Sequence, residues 1–328
     1  MSRRRRLLGA LGAAPFALAG KGFAQAAYPN HAIRMIVPFA PGGALDTVAR
    51  AVAPIASQRL GRQVVIENRP GGFTVIGNET VAKAAPDGYI LLFAAAPIAL
   101  NTALGLKLPY DPLKDFEYVS LVARIPGLLV AHPSLPVDSL KSLVEYAKKE
   151  SAEKGGFQYA TAGVGTMGHL LGESFFTAQG IKPIHVGYKG SAPALQDLIG
   201  GQVKVLFDAY VPSGPQVAAG RVRAIALATS QRSPVLPEVP TFAEAGFKGF
   251  EAFGFYGVVA PAATPRVLIE KINAAFVDAA TDRKVRAMLV SNGYEVMASS
   301  PAQYKAFVRQ QIDHWGPVAK RSNIQVQQ

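Results

Sequence analysis

Two glycine-bearing segments have the residue types and spacing to hold an anion with backbone groups alone. The first is Pro38-Phe39-Ala40-Pro41-Gly42-Gly43-Ala44-Leu45-Asp46, and the second is Thr161-Ala162-Gly163-Val164-Gly165-Thr166-Met167-Gly168-His169. Glycine lets the main chain take positive φ and come close to a ligand. Each segment runs into a stretch of helical apolar spacing, and a helix start presents free N–H groups and the positive end of its dipole. A carboxylate is the simplest group for two such loops to clamp. In this reading Asp46 is a helix N-cap rather than an acid catalyst, and Thr161 and Thr166 add hydroxyl donors. A plain turn that merely starts a helix stays open for the first loop.

The second segment also carries Gly163-x-Gly165-x-x-Gly168, the spacing of dinucleotide sites. That fingerprint expects an acidic residue on the ribose about 20 residues further on. Here the chain reads His185-Val186-Gly187-Tyr188-Lys189, with no carboxylate. Lys189 would suit NADP, so an NADP-dependent or other anion-processing α/β enzyme is the competing class. Other catalytic signatures are missing. His31, His132, His169, His185 and His314 lack metal spacing, and no G-x-S-x-G elbow occurs. Zero cysteines exclude a disulfide scaffold, a thiolate metal site and a cysteine nucleophile. Asp46 and Asp208 have no nucleophile between them, His169 either packs on its helix or meets ligand, and Arg69 reads as a structural arginine at a strand end. No cofactor, no metal and no catalytic residue are expected.

The elements that must hold these loops alternate. Ile33–Val37, Gln63–Glu67 and Ile90–Phe93 read as strands, with helices from Asp46 and over Val75–Ala85 between them. After Pro133 the order returns, with helices Ser139–Lys149, Met167–Ala178 and Ala192–Ile199, the last capped by Ser191. Strands Phe157–Thr161, Ile184–Val186, Val203–Phe207 and Ala224–Ala228 lie among them, with Asp208 just past a strand end. Phe255–Ala260 is a further strand, followed by helices over about 265–280, 282–292 and 301–319; Trp315 and the aromatics at 253 to 256 belong to the core. The pattern predicts an α/β fold of parallel sheets with helices on both faces. A chain of 328 residues exceeds one core, so two lobes are expected, with crossings near 120–130 and 230–250. Residues 27–125 with 230–328 form lobe 1, and 126–229 form lobe 2. The cleft between them, outside the carboxyl ends of the strands, is where open α/β sheets take ligands.

The formal charge of +12 invites a nucleic-acid reading, but much of it sits at the N-terminus. Arg3 to Arg6 precede an apolar stretch from Leu7 to Ala19 and then Ala24-Gln25-Ala26, the grammar of an export signal at residues 1–26. Arg4-Arg5-Arg6-Leu7-Leu8 also resembles a twin-arginine signal, and both export routes stay open. Cleavage removes Lys21 and four arginines, leaving 29 basic against 22 acidic residues, or +7. No later segment interleaves Lys and Arg with aromatics, so no nucleic-acid partner is expected. Ile90 to Leu106 is nearly all apolar, yet Pro97 and Asn101 interrupt it; a buried strand leading into a short helix explains it better than a membrane span. An exported chain free in the periplasm follows.

At these residues a resemblance becomes clear. Pro38-Phe39…Gly42-Gly43…Asp46, Glu67-Asn68-Arg69-Pro70-Gly71 and Ala85-Pro86-Asp87-Gly88-Tyr89 are followed by Leu108-Pro109-Tyr110-Asp111-Pro112…Asp115-Phe116. Tyr188-Lys189-Gly190-Ser191…Ala194, Gly200-Gly201-Gln202-Val203…Phe207-Asp208 and Ala260-Pro261…Thr264-Pro265 complete the order. In this sequence they resemble the Bug/TctC family, the periplasmic solute-binding components of tripartite tricarboxylate transporters.

The resemblance implies a two-lobed periplasmic-binding-protein (Venus flytrap) fold, type II-like, with no catalytic activity, and membrane transporter subunits as partners. It implies that the first-lobe and second-lobe glycine loops act as pincers on a ligand carboxylate. Carried onto this chain, the ligand-binding set is Phe39, Ala40, Pro41, Gly42, Gly43 and Asp46 from the first loop. Thr161, Ala162, Gly163, Gly165, Thr166 and His169 come from the second, and Asp208 borders the pocket. The chain departs from the family at Ala94-Ala95-Ala96-Pro97, where small hydroxyl residues are usual, and at Phe73, where small residues are common. With Ala95 and Ala96 at the pocket, these departures imply an aromatic or partly apolar carboxylate rather than citrate, unless Phe73 is buried between helices. A ligand-sensing receptor for a membrane kinase would use the same binding physics.

Overall fold

Short runs of β-branched and apolar residues bounded by glycine, proline or asparagine become the strands. In the computed structural model, which describes residues 28–324, Ile33–Val37 (β1), Val64–Asn68 (β2) and Ile90–Ala95 (β3) pair in parallel, in the order β2-β1-β3. The export signal expected at 1–26 lies outside the described residues. Helix α1, Ala44–Leu60, lays Val48, Ala49, Val52 and Ala56 against this sheet at helical spacing. It stops at Gly61, whose φ of 75° suits a left-handed cap. α2, Val75–Ala82, is three residues shorter than its pattern predicts, and α3, Pro97–Ala103, follows β3 directly, as expected for the apolar stretch at 90–106.

The second half repeats the grammar. α4 (Leu140–Lys154), β5 (Phe157–Thr161), α5 (Met167–Ala178), β6 (Pro183–Gly187), α6 (Ser191–Ile199), β7 (Val205–Ala209), α7 (Tyr210–Ala218) and β8 (Arg223–Leu227) succeed one another. β5 pairs in parallel with both β6 and β7. The chain returns through β9 (Phe253–Pro261), α8 (Arg266–Thr281), α9 (Arg283–Ser291), β10 (Glu295–Val296) and α10 (Pro301–Arg321). Trp315 is buried on α10, as are Phe253 and Phe255 on β9.

The sheet is mixed rather than parallel, because one strand joins both halves. β4, Phe116–Ala131, runs 16 residues, in a stretch that reads from sequence only as a crossing. Its first part lies antiparallel to β9, and its end, from Gly127, pairs antiparallel with β7 and β8. The full order is β2-β1-β3-β9-β4-β7-β5-β6, with β8 and β10 also on β4. At the crossing the chain passes three times and its backbones close a ring. Gly127 N–H donates to Ala252 O (3.0 Å), Ala252 N–H to Ala228 O (2.9 Å), and Ala228 N–H to Gly127 O (2.8 Å). A Cβ on Gly127 would sit 3.1 Å from Ala252 O, so a small residue suits this point.

Candidate functional site

The register of β9 places the two halves relative to the crossing. Ala95, at the carboxyl end of β3, pairs with Tyr256, two residues from Gly254, which pairs with Ile125 of β4. Because β1, β2 and β3 are parallel, the loops after all three lie along this same edge. Gly254, Ile125 and Gly127 line a cavity of about 190 Å³ whose far wall is built by α5, α6 and β7. Met167, Leu171, Phe207 and Ala252 make it mostly apolar, while Thr166, Ser191 and Asp208 supply its polar groups. No Lys, Arg or His lines it. Two larger hollows, about 340 Å³ beside β5 and β6 and about 610 Å³ at the starts of α8 and α10, lie away from both glycine loops.

The first loop stands open on its edge, with Phe39 to Gly43 exposed and outside the cavity lining. Its brace is Asp46, but not as a cap. Gly43 is the N-cap of α1, and Asp46, three positions on and 2% exposed, reaches back to accept from Gly42 N–H at 2.9 Å. Arg50 Nε and the Asn68 amide, both at 2.8 Å, fill the rest of the carboxylate. The Arg50 guanidinium holds its pKa down to about 2, so it stays ionised and committed to the loop. The amides of Gly43, Ala44 and Leu45 donate to no acceptor among the described residues. Arg69 pairs with Glu67 at 2.6 Å, in keeping with a structural arginine. Ala95 and Ala96 are buried at the end of β3.

The second loop is wired internally. The Thr161 hydroxyl donates to Gly163 O (3.1 Å), accepts from Gly163 N–H (3.2 Å) and lies 2.6 Å from His185 Nε2. Thr166 caps α5, accepts from His169 N–H and donates to Gly163 O at 2.8 Å. Neither hydroxyl is therefore free to meet a ligand. Gly165 N–H is spent on His169 Nδ1 at 3.1 Å. The amides of Val164, Met167 and Gly168 donate to no acceptor among the described residues. Of the sequence-selected residues here, Ala162 and Thr166 line the cavity, and Gly168 joins them. A Cβ on Gly168 would come within 2.6 Å of Phe207 O, so this third glycine serves close helix–strand packing.

His169 resolves as a packed residue. It is 6% exposed and stacks on His185 with ring centroids 3.6 Å apart. Burial pushes both imidazoles down, His169 to about 3, with His185 beside it, and His185 to about 4. Both rings are neutral at neutral pH, which His169 Nδ1 requires in order to accept a hydrogen bond from Gly165 N–H. Because the unfolded chain takes up protons near pH 6.5, this pair contributes stability that is lost as pH falls from 6.5 towards 3. Imidazole titration followed by NMR is expected to give both midpoints below pH 5. A midpoint near 6.5 for His169 would show a solvated ring and remove the prop from the loop.

Asp208 lies within β7, not past its end, and faces the cavity. Ser191 donates to one carboxylate oxygen at 2.7 Å and Ser213 to the other at 2.8 Å. Burial raises its pKa against the pull of these hydroxyls. Ser191 is thus the first residue of α6 and a partner of Asp208, the cap being Gly190. Sequence reasoning missed Met167, Phe207 and the crossing residues Gly127, Ala252 and Gly254 as cavity walls. Their only sequence signal was position beside a glycine loop or a lobe crossing. Among the described residues no group of three His, Asp or Glu is placed to hold a metal, and no helix is long and apolar enough to cross a membrane.

Two α/β halves joined at a hinge-like crossing, with an apolar cleft ringed by helix starts, define a two-lobed periplasmic binding protein. The chain belongs to the tripartite tricarboxylate transporter family receptors (TctC), whose family model matches residues 48–324. It is 35% identical over 301 residues to Protein BugT of Bordetella pertussis, covering 91% of each chain. Among solved structures it is similar to R. palustris Rpa4515 with adipate (35% identity, TM-score 0.77, 90% of this chain and 99% of that one). It is also similar to MatC from Rhodopseudomonas palustris with bound malate (33% identity, TM-score 0.74, 89% and 100%). The family consists of solute-binding receptors rather than enzymes, and the NADP reading of the second loop falls with that. The loop geometry agrees, since Gly165 gives its amide to a histidine.

Proposed function

We propose that this chain is an extracytoplasmic receptor that binds a small carboxylate with a partly apolar body in the inter-lobe cleft and delivers it to membrane subunits of a tripartite tricarboxylate-type transporter. The observation that supports this reading is two sets of unpartnered amides at loop-to-helix junctions, Gly43 to Leu45 after β1 and Val164, Met167 and Gly168 after β5, the second beside a cavity whose lining has no cationic side chain. Backbone donors at helix starts bind an anion without a buried counter-charge. The apolar walls suit methylene or aromatic surface. Malate and adipate in the two similar receptors support the carboxylate class.

In this reading residues 27–125 with 230–328 form one lobe and 126–229 the other, and they close about the ring of Gly127, Ala228 and Ala252. Phe39 to Gly43 contact the ligand from lobe 1, and Ala162 to Thr166 from lobe 2. Asp46 and His169 hold the two loops in shape, and Asp208 borders the pocket. Closure follows because a ligand that touches both lobes binds the closed form better. The signal at 1–26 delivers the chain to the periplasm.

Thermal melting of the purified protein with adipate, malate, citrate and phenylacetate tests the reading. A ligand at 100 times its Kd adds about 2.7 kcal/mol to the native state, so at least one of these carboxylates is expected to raise Tm by several degrees. No shift with any of them at millimolar concentration would refute it.

A further inference from the structure

The loop between β2 and α2 carries an unusual backbone and an unusual side chain. Gly71, Gly72, Phe73 and Thr74 have φ of 127°, 54°, 51° and 74°, so two residues with a Cβ occupy conformations that glycine adopts freely. Such a turn persists only where its surroundings over-determine it. They do so here: the Asn101 side chain donates to Phe73 O at 2.9 Å, and buried Asn78 donates to the Thr74 hydroxyl at 3.2 Å and to Tyr110 at 2.8 Å. The Phe73 side chain, in contrast, is held by little. It is 50% exposed, beside Ile76 at 53% and with Phe39 at 39% on the same edge. A strained backbone that presents a phenyl ring to water is the reverse of what stability alone favours.

The position of the loop that carries that ring is set by register. The loop follows the carboxyl end of β2, the outer strand of the order β2-β1-β3-β9, on the same edge as the first glycine loop and the end of β3. Across the cleft stand Met167, Leu171 and Phe207. These walls are apolar, and Phe207 is the one aromatic residue among those lining the cavity.

We propose that Phe73 is a specificity-determining residue: on closure its ring covers the apolar body of the bound carboxylate, so the receptor prefers aromatic or long-chain carboxylates to compact polyacids. The inference rests on the carboxylate-receptor reading above and adds the residue that selects within that class. The loop amides hold the charged end, which any carboxylate supplies. Burying a ring against methylene or aromatic surface rewards only ligands that carry such surface.

Calorimetric titration of wild type, Phe73→Gly and Phe73→Leu with phenylacetate, adipate and malate tests it, alongside thermal melts. Wild type is expected to bind phenylacetate or adipate more tightly than malate. Phe73→Gly is expected to melt about 1–3 °C higher, because relief of left-handed strain outweighs the added freedom of the unfolded chain. The same variant should lose about tenfold or more in affinity for the apolar probe while its malate affinity changes less than about twofold, and Phe73→Leu should keep most of the apolar preference. A purely structural role would not raise stability and lower one affinity together. Equal selectivity in wild type and Phe73→Gly, or a wild-type preference for malate, overturns the role of Phe73 and leaves the receptor reading standing. If wild type binds citrate but none of these three probes, the role of Phe73 is overturned; if it binds none of the four, both readings fall.

Discussion

The Gly43→Val protein is expected to fold, to melt within about 4 °C of wild type, and to bind its carboxylate more than about 100-fold more weakly. Gly43 has φ −74° and ψ 170°, an extended conformation that valine favours. A Cβ there meets only Ala40 O, at an ordinary 3.5 Å. The fold therefore loses little beyond a permissive helix cap, about 1 kcal/mol. The branched side chain would nevertheless stand over the amides of Gly43, Ala44 and Leu45. Hydrogen bonds to a charged group contribute about 1.5–3 kcal/mol each, so blocking this set exceeds the roughly 2.7 kcal/mol that a 100-fold loss represents. Gly42 is a poorer test, since its φ of +81° would add strain to any effect on binding. Titration calorimetry beside a thermal melt checks the result, and wild-type affinity in the folded variant would exclude the first loop from the clamp.

Gly168→Val should behave differently, lowering stability and binding together. Its Cβ would lie 2.6 Å from Phe207 O and 3.2 Å from the carbonyl carbon. That carbonyl cannot retreat, because Phe207 is paired with Leu129 of β4 and Thr161 of β5. α5 must lift instead, and overpacking of this kind costs about 1–3 kcal/mol. Tm is expected to fall by about 3–10 °C. The shift carries the Thr166 cap and the amides of Met167 and Gly168 away from the cleft, so affinity falls more than about tenfold. Wild-type melting would show that the helix is not pinned to the strand.

How the two loops are built explains why part of the site was legible and part was not. β5 and α5 have the limits their residues predict, Phe157–Thr161 and Met167–Ala178, because periodicity and the Thr166 cap are local properties. α7 has no counterpart in the sequence reading, since Pro212, Gly214 and Pro215 break up its helical pattern; Pro212 falls in the first turn, where a proline costs no hydrogen bond. β4 was read only as a crossing, since nothing local tells a strand serving two halves from a linker.

The amino-acid sequence alone was enough to establish the family and the α/β order and, as expectations, the export signal and the two glycine loops as anion sites. These follow from residue type and spacing over a few turns of chain. The folded arrangement assigned the side chains. Asp46, Thr161, Thr166 and His169 all have the chemistry of ligand donors, yet each is engaged in holding a loop. The partners that engage them can be distant: Asn68 lies 22 residues from Asp46, and His185 lies 24 from Thr161. A polar group's role depends on which partner reaches it first in space, and sequence spacing does not encode that over such separations. What both loops leave unpartnered is backbone N–H, which every residue but proline carries and no residue type announces.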